Sequence, residues 1–554
     1  MDIKKTRTQW YQETCLALKP IIGNQADQFW QAYLVQDEEG KRDMEEQLEL
    51  LANYHLHTDV QNKTPVFHPP TSEQAQGEFE LGNIFYNNEP SCPFALRSKE
   101  LFQHIAIFGR SGGGKTNTGF IFVKSLRDNN IPFILFDWKK NYRDLVKLSK
   151  FRDLRAYPIG QKSSFSFNPL IPPQGVDPKS YLQKIIAVMG EAYFLGEGSV
   201  YLLQATIDAL YRQYGVYDQS VQNWPTFRDV LRSLRRVPIK GGRESLWLSS
   251  ALRTIASLCF GQADRIFNAK SNQSLEDIMS SSTVFEMEAL AQQEKVMFVQ
   301  SIAQWIHMRE LAMGGKRETL KRMLIVEEAQ HVFSKRSRSN TTTGDTPLTI
   351  AMRELREFGI GICLIAQHPS EIALAALGNT YTTICMNLKS AQDVQTASSS
   401  MLLNNEQKLW LGRMPIGRAV VKLQGRISEP FMIHIPEFTA IRKGSVSDED
   451  ILKRLGLAKA SSIRESRTST ETRMPSAIDG TTAILRDIQQ HPEGGVAARY
   501  KRLGISARQG DKLKKELLTK HLVSEFDDIT TKGRTKRLKL TSAGTAKLGS
   551  NPDP

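Results

Sequence analysis

A glycine-rich segment constrains the fold of this chain more than any other feature. It follows a short apolar run, His104 to Phe108, precedes a helix-compatible stretch, and reads Gly109-Arg110-Ser111-Gly112-Gly113-Gly114-Lys115-Thr116. In such a loop successive backbone N–H groups converge on phosphate oxygens, and the N-terminus of the following helix adds the positive end of its dipole. A glycine-rich turn that arose by chance is the alternative. We interpret the segment as a P-loop that binds ATP, with contacts that extend to Asn117.

Two side chains of this loop have predicted roles in phosphate chemistry. Lys115 is expected to reach the β- and γ-phosphates, and Thr116 a Mg²⁺ ion. A P-loop also needs acidic groups at the end of a buried strand, and the apolar run from Met323 to Val326 is followed by Glu327 and Glu328. We predict that Glu327 contacts the Mg²⁺ shell and that Glu328 orients water against the γ-phosphate. The alternative is a strand that ends in a solvated acidic turn.

Composition limits the class of protein. With 554 residues, 40% of them hydrophobic and 24% charged, the chain is expected to form two to four domains. No run approaches the length of a membrane-spanning segment, and the N-terminus lacks the apolar core of a signal peptide, so a cytoplasmic protein is expected. The five scattered cysteines are expected to be reduced core residues. The formal charge of +14 makes an anionic partner plausible without identifying it.

The pattern along the chain predicts four parts. Residues 1–95 form a polar, partly helical N-terminal domain of unassigned role. Residues 96–440 alternate strand-like and helical runs, which predicts an α/β core with a parallel sheet, interrupted at about 176–275 by an all-helical insertion. Residues 441–477 are polar and charged and are interpreted as a linker, and residues 478–550 form a compact C-terminal domain.

Two further strand ends carry polar residues. Asp137 ends the predicted strand after the P-loop helix, and Gln367 ends the run from Ile360 to Ala366. Both are expected to face the nucleotide, with Gln367 as a sensor of the γ-phosphate.

The order of these motifs resembles that of the HerA/FtsK-type hexameric ATPases, and the HerA-like branch in particular. The resemblance covers roughly residues 100–440, and it includes the P-loop, Asp137-Trp138-Lys139 with Tyr142, Phe167-Asn168-Pro169-Leu170, Glu327-Glu328-Ala329-Gln330, Arg353 to Gly359, and Gln367-His368-Pro369-Ser370. It implies a RecA-like core, a water-activating role for Glu328, a sensor role for Gln367, and an arginine finger at Arg356 that completes the site of the next subunit. The alternative for Arg356 is a salt-bridged, solvated helix face.

Two segments are predicted to contact nucleic acid. The basic stretch from Ser334 to Asp345 is interpreted as a loop that faces the pore of a ring, or as a plain solvated loop. After residue 478, three helical patterns followed by two strand-like runs predict a winged helix, and residues 496–540 carry thirteen Lys or Arg against five Asp or Glu. The expected DNA contacts are Arg508, Lys512, Lys514, Lys515, Lys532, Arg534, Lys536 and Arg537. A protein-docking winged helix is the alternative.

Three functions are compatible with these features. The first is an ATP-driven, ring-forming motor or helicase that acts on duplex DNA, with a nuclease or other effector supplied by a partner in DNA processing or phage defence. The second is an ATP-gated oligomeric scaffold that regulates an effector enzyme. The third is a peripheral conjugation or secretion ATPase.

Overall fold

A computed structural model describes residues 7–62, 67–86, 89–160, 165–218, 223–238, 241–335, 346–441, 444–456, 480–503, 505–530 and 533–549. The chain divides into two compact units, residues 1–456 and 457–554. Within the described residues, no helix is both long enough and apolar enough to cross a lipid bilayer.

The first unit is built on a single mixed sheet, which has eleven strands within the described residues. The strands are β1 (Phe79–Tyr86), β2 (Glu89–Leu96), β3 (Ile105–Phe108), β4 (Phe133–Asp137), β5 (Arg155–Pro158), β6 (Thr283–Glu286), β7 (Arg322–Glu327), β8 (Ile360–Ala366), β9 (Thr382–Cys385), β10 (Arg418–Leu423) and β11 (Phe431–His434). Their order across the sheet is β2-β1-β11-β10-β9-β3-β8-β7-β4-β6-β5. Strands β3 to β9 pair in parallel, whereas β10, β11, β1 and β2 pair antiparallel.

The parallel strands are buried on both faces, which explains why they read as continuous apolar runs. Alternate residues of β3 enter different cores, with Ala106 and Phe108 on one face and Ile105 and Ile107 on the other. The predicted α/β fold with a RecA-like sheet is therefore confirmed, and the predicted parallel pairing is confirmed for β3 to β9. Because β8 lies between β3 and β7, the residues that follow β8 lie between the P-loop and the acidic pair.

Helices of the first unit connect and cover the strands. They are α1 (Arg7–Ile22), α2 (Gln25–Leu34), α3 (Glu38–Asn62), α4 (Ser72–Ala75), α5 (Ser98–Leu101), α6 (Lys115–Asp128), α7 (Pro178–Ala192), α8 (Glu197–Gln213), α9 (Phe227–Leu234), α10 (Gly242–Leu258), α11 (Gly261–Phe267), α12 (Gln273–Ile278), α13 (Gln292–Met313), α14 (Pro347–Leu355), α15 (Leu374–Gly378), α16 (Ala391–Met401), α17 (Asn405–Leu411) and α18 (Asp448–Arg454). The run from α7 to α12 contains no strand within its described residues and coincides with the segment predicted as a helical insertion.

The sheet begins earlier in the chain than the sequence pattern indicates. Strands β1 and β2 pair with each other, and β1 also pairs with β11, so residues from Phe79 onward belong to the sheet rather than to a separate N-terminal domain. Pro90 and Pro93 make β2 hard to recognise as a strand from the sequence. Proline cannot donate a backbone hydrogen bond, so within sheets it is tolerated mainly in edge strands. At Gly82 the partner strand approaches so closely that a Cβ atom would lie 2.2 Å from the His434 carbonyl oxygen.

The first unit also ends later than the boundary expected at residue 440. The Asp144 carboxylate accepts backbone N–H bonds from Gly444, Ser445 and Val446 at 2.7 to 3.0 Å. Arg143 donates to Asp448 of α18 at 2.6 Å. These contacts fix residues 444–454 on the core, and the rest of the predicted linker, residues 457–477, lies outside the described residues.

The second unit contains four helices and a hairpin within its described residues. They are α19 (Gly480–Gln490), α20 (Val496–Arg502), α21 (Ala507–Thr519), β12 (Val523–Thr530), β13 (Gly533–Leu540) and α22 (Ser542–Gly549). Ile484, Leu485, Leu517 and Leu538 form the centre of its core. The element order is that expected of a winged helix, and the assignment to that class stays a prediction.

Candidate nucleotide and catalytic site

The P-loop connects the end of β3 to the start of α6. Gly112 has a φ of 72° and Gly114 a φ of 104°, a region that glycine enters without steric cost. The loop is anchored to neighbouring strand ends, because the Gly109 N–H donates to the Ala366 carbonyl at 3.3 Å and the Arg110 N–H to the Asn387 carbonyl at 2.7 Å. The Gly113 N–H closes the turn on the Arg110 carbonyl at 2.9 Å.

The Lys115 ammonium group lies inside this loop. It donates to the carbonyl oxygens of Gly109 at 2.7 Å and of Arg110 at 3.0 Å. Burial lowers the pKa of Lys115 to about 8, against the opposing effect of the nearby Glu328 carboxylate. A phosphate in the loop would supply the negative charge that restores full protonation of this amine.

Asn117 has a different set of contacts from the one expected of a phosphate ligand. Its side-chain amide donates to the Pro436 carbonyl at 2.8 Å, and its oxygen accepts the Phe438 N–H at 2.7 Å. The residue thus ties the first turn of α6 to the segment that follows β11. Its contribution to nucleotide binding stays a prediction.

Glu327 and Asp137 form a buried pair of carboxyl groups. Glu327 ends β7 and is 6% exposed, and Asp137 ends β4, the neighbouring strand. Asp137 accepts the Lys139 N–H at 2.8 Å and the Tyr142 N–H at 3.0 Å. Burial raises the pKa of Asp137 to about 6, and burial together with the Asp137 charge raises the pKa of Glu327 well above its usual range.

These carboxyl groups fit the predicted Mg²⁺ ion. A hard divalent cation prefers oxygen ligands, and Glu327 and Thr116 line one cavity. Two neighbouring buried carboxyl groups do not readily carry a negative charge at the same time, because the charges repel each other. A nearby cation stabilises both charged forms. Glu327 and Thr116 are therefore the residues that would hold the ion.

Glu328 has a strained backbone and a tightly held side chain. Its φ of 48° is unusual for a residue other than glycine. One carboxylate oxygen accepts a hydrogen bond from Gln367 at 2.6 Å and lies 3.4 Å from the Lys139 ammonium, and the other accepts from Gln330 at 2.8 Å. Burial opposes its ionisation, but the two amides and the lysine outweigh burial, so the pKa of Glu328 is lowered.

One cavity of about 280 Å³ brings most of the predicted residues together. Its lining includes Ser111, Gly112, Gly114, Lys115, Thr116, Asn117, Glu327, Glu328 and Gln367. Sequence reasoning did not assign the other lining residues, Lys139, Asn141 and Ile365. The position of Lys139, two residues after the strand-ending Asp137, was the available signal for its contact with Glu328.

Arg356 lies away from this cavity. It follows α14 and precedes β8, so it is at the amino edge of the strand, whereas the cavity lies at the carboxyl edge. Its side chain is exposed. Within one chain Arg356 therefore does not contact the P-loop, and its role as an arginine finger stays a prediction. The predicted pore loop falls largely at residues 336–345, outside the described residues.

A second cavity of about 490 Å³ adjoins the first, because Gly114 and Asn117 line both. Its other walls are largely apolar and include Phe120, Met386, Ile416, Ile435 and Phe438. Phe120 and Phe438 stack with ring centroids 5.5 Å apart. The P-loop thus opens on one side to a polar, charged cavity and on the other to an apolar one.

The fold and the site resemble those of P-loop ATPases of the HerA/FtsK type. Residues 79–185 match the family model of the HerA helicase central domain. A probable DNA double-strand break repair helicase HerA from Methanocaldococcus jannaschii is 31% identical over 125 residues, which are 22% of this chain and 24% of that relative. The alignment therefore spans about a quarter of the length of the relative.

Two solved structures share the fold at low sequence identity. VirB4 of Thermoanaerobacter pseudethanolicus superposes with a TM-score of 0.51 at 15% identity, over 66% of this chain and 97% of that one. The plasmid coupling protein TrwB, in complex with a non-hydrolysable GTP analogue, gives a TM-score of 0.51 at 10% identity, over 70% and 99%. At these identities the likeness concerns the fold alone.

Proposed function

We propose that this protein is an ATP-hydrolysing, ring-forming motor that translocates duplex DNA. One observation carries the proposal: Lys115, at the start of the helix after β3, lines a single cavity with Glu327, Glu328 and Gln367, which lie at the ends of the neighbouring strands β7 and β8. A cation, a buried acidic group, a second carboxylate and an amide at a phosphate loop are the groups that phosphoryl transfer to water requires.

Each residue has a separate part in the proposed reaction. Lys115 moves from its own loop carbonyls to the β- and γ-phosphates, where its charge stabilises the transition state. Thr116 and Glu327 would hold Mg²⁺, which would supply positive charge to neutralise the phosphate oxygens. Glu328 directs the attacking water, and Gln367, in contact with Glu328, senses the γ-phosphate. The apolar cavity lined by Phe120, Ile416 and Phe438 suits the nucleobase.

Positive charge on the second unit supports DNA as the substrate. Lys512 and Lys515 on α21 are exposed, whereas Lys514 pairs with Glu525 at 2.8 Å and Arg537 pairs with Glu493. Exposed lysines bind phosphates without reading bases, which suits a motor that moves along any sequence. The name of the similar M. jannaschii protein, a probable double-strand break repair helicase, agrees with action on duplex DNA.

The proposed assembly is a homo-oligomeric ring, with six subunits as in the family it resembles. Arg356 is exposed at the amino edge of β8, on the opposite side of the sheet from the nucleotide cavity, and is available there to a neighbouring subunit. We further propose that a nuclease or another effector protein works with the ring in DNA processing or phage defence.

A second candidate function is an ATP-gated scaffold for such an effector. The segment from α1 to α3 exposes Leu16, Leu34, Val35 and Leu50, and large exposed apolar side chains favour a protein contact. In this case ATP state would regulate the partner, and DNA would not be required for turnover.

ATP turnover of the full-length protein with and without duplex DNA tests the proposal. We expect DNA to raise the rate severalfold, and Glu328→Gln to lower kcat by about 100-fold or more while ATP still binds. Glu406→Gln, which makes the same change at an exposed position, is the matched control. No turnover in the unmodified protein would overturn the proposed activity, and turnover indifferent to DNA would favour the scaffold.

A further inference from the structure

Asn117 joins the helix that follows the P-loop to a distant part of the chain. Its Nδ2 donates to the Pro436 carbonyl at 2.8 Å, and its Oδ1 accepts the Phe438 N–H at 2.7 Å. The two partners fix the orientation of the amide, because turning it over would set its oxygen against a carbonyl and its N–H groups against an N–H. One side chain therefore holds two peptide groups of the same segment, residues 436–438.

Phe120 holds the same segment from the next turn of α6. Residues three apart on a helix are neighbours on its surface, so Phe120 and Asn117 face the segment together. The Phe120 ring is buried and stacks with the Phe438 ring, with the centroids 5.5 Å apart and the planes inclined by 24°. The segment after β11 is thus fixed to α6 by a pair of hydrogen bonds and an aromatic contact, directly beside the P-loop.

This segment forms one wall of the apolar cavity of about 490 Å³, to which it contributes Ile435, Phe438 and Ile441. Ile416 and Gly417, which precede β10, form another wall. The two walls are joined where the Gly417 carbonyl accepts the Ile435 N–H at 2.9 Å. Ile416 is 67% exposed, and an open apolar side chain in a cavity that adjoins the P-loop suits the face of a planar base.

We propose that Asn117 is a positioning residue that fixes the base-binding wall to the P-loop helix, so that ATP is held by its base as well as by its phosphates. The inference rests on the proposed binding of ATP. A wall that is already in place when the ligand arrives reduces the cost of ordering on binding, and the two hydrogen bonds of Asn117 supply that order. This role differs from the phosphate contact that the motif predicts. Because Asn117 acts through the wall, its loss weakens recognition of the base and leaves recognition of the triphosphate intact.

Binding of two ligands by the full-length protein tests this role. The ligands are ATP and inorganic tripolyphosphate, which has three linked phosphates and no base, each measured by calorimetric titration at a fixed Mg²⁺ concentration. Asn117→Leu keeps about the size of the side chain and removes both hydrogen bonds, and Asn117→Ser removes them without adding an apolar group. We expect each variant to raise the Kd for ATP about 5- to 10-fold and to leave the Kd for tripolyphosphate within about twofold. In turnover, KM for ATP should rise while kcat stays within about twofold.

Phe438→Leu, which weakens the same wall without altering α6, should show the same selective loss of ATP binding. The control is Asn405→Leu, the same change at an exposed asparagine that lines neither cavity, and it should change neither Kd.

Equal weakening of both ligands in the folded Asn117 variants would place Asn117 on the phosphates or in support of the loop itself, and would overturn the inference. Unchanged ATP binding in those variants overturns it as well, including the case in which Phe438→Leu alone is selective. If the unmodified protein binds tripolyphosphate as tightly as ATP, the base adds nothing and the inference alone is wrong. If the unmodified protein binds neither ligand, the proposed function and the inference are both wrong.

Discussion

At the scale of single residues, the site combines buried charges whose proton affinities are displaced in opposite directions. Burial lowers the pKa of Lys115 to about 8 and raises that of Asp137 to about 6, so each group is closer to neutrality than in water. Nucleotide and metal carry charges that reverse both effects. If this site binds Mg²⁺ and ATP as proposed, we expect the binding to be coupled to proton exchange.

Lys115 provides a direct measure of this coupling. At about pH 9 the amine, with a pKa of about 8, is mostly neutral, and a bound triphosphate raises that pKa, so binding takes up close to one proton. At about pH 6.5 the amine is already charged and contributes no uptake. Calorimetric titration with ATP in two buffers of different ionisation enthalpy measures the protons exchanged, and Lys115→Met is expected to lose the uptake at the higher pH. Equal uptake by the variant would contradict the assignment of Lys115 to the phosphates.

Sequence motifs identify residues whose role follows from their position in a continuous loop or strand end. They miss residues whose role depends on a contact that forms only in the folded protein. Lys115, Glu327 and Glu328 follow from a loop and a strand end that are continuous in the chain. Lys139 contacts Glu328 because β4 and β7 are neighbours in the sheet and their ends lie side by side. Gln330 contacts Glu328 because the short 3-10 turn Ala329–His331 brings its amide back to that carboxylate. Neither fact is encoded in a local pattern.

At the scale of elements, the parallel strands were predictable because burial on both faces forces them to be apolar throughout. The antiparallel strands at the edge of the sheet were harder to predict from the sequence. Strand β2 contains two prolines, and its pairing with β1 depends on the distant strand β11. Edge strands tolerate such residues, so their sequences carry weaker signals than those of central strands.

His104 links three elements around the P-loop strand. Its Nδ1 accepts the Ile362 N–H of β8 at 3.0 Å, which places the ring proton on Nε2, and Nε2 donates to the Met352 carbonyl of α14 at 2.7 Å. Burial lowers the pKa of His104 to about 4. The neutral ring thus fixes the start of β3 to the helix that precedes Arg356.

The stability of the first unit should therefore fall in acid in a defined window. Because the folded pKa of His104 lies below the unfolded value, the unfolded state binds more protons between about pH 6.5 and pH 4, and the free energy of unfolding decreases as the pH falls through that range, by about 3 kcal/mol. Below the folded pKa this contribution no longer changes. Urea unfolding at a series of pH values measures it, and His104→Asn should be less stable at neutral pH but lack this part of the slope. An identical slope in the variant would assign the acid sensitivity to other groups.

At the scale of the whole molecule, the proposed motor depends on a residue that one chain cannot bring to its own site. Arg356 is exposed at the amino edge of β8, while the nucleotide cavity lies at the carboxyl edge of the sheet. The family resemblance predicts the finger from its motif, but no pattern within one sequence determines which surfaces of two copies meet.

Mixing two inactive variants tests whether Arg356 acts on a neighbouring subunit. Arg356→Ala and Glu328→Gln are each expected to lose about 100-fold or more of ATP turnover while still binding ATP, because one lacks the transition-state cation and the other the water-directing carboxylate. In a mixed ring some interfaces combine Glu328 of one subunit with Arg356 of the next, so turnover should reappear on mixing after subunit exchange. Arg413→Ala, at another exposed arginine, should retain full activity alone. If exchange is verified and the mixture stays inactive, Arg356 does not complete a neighbouring site, and the solvated helix face becomes its explanation.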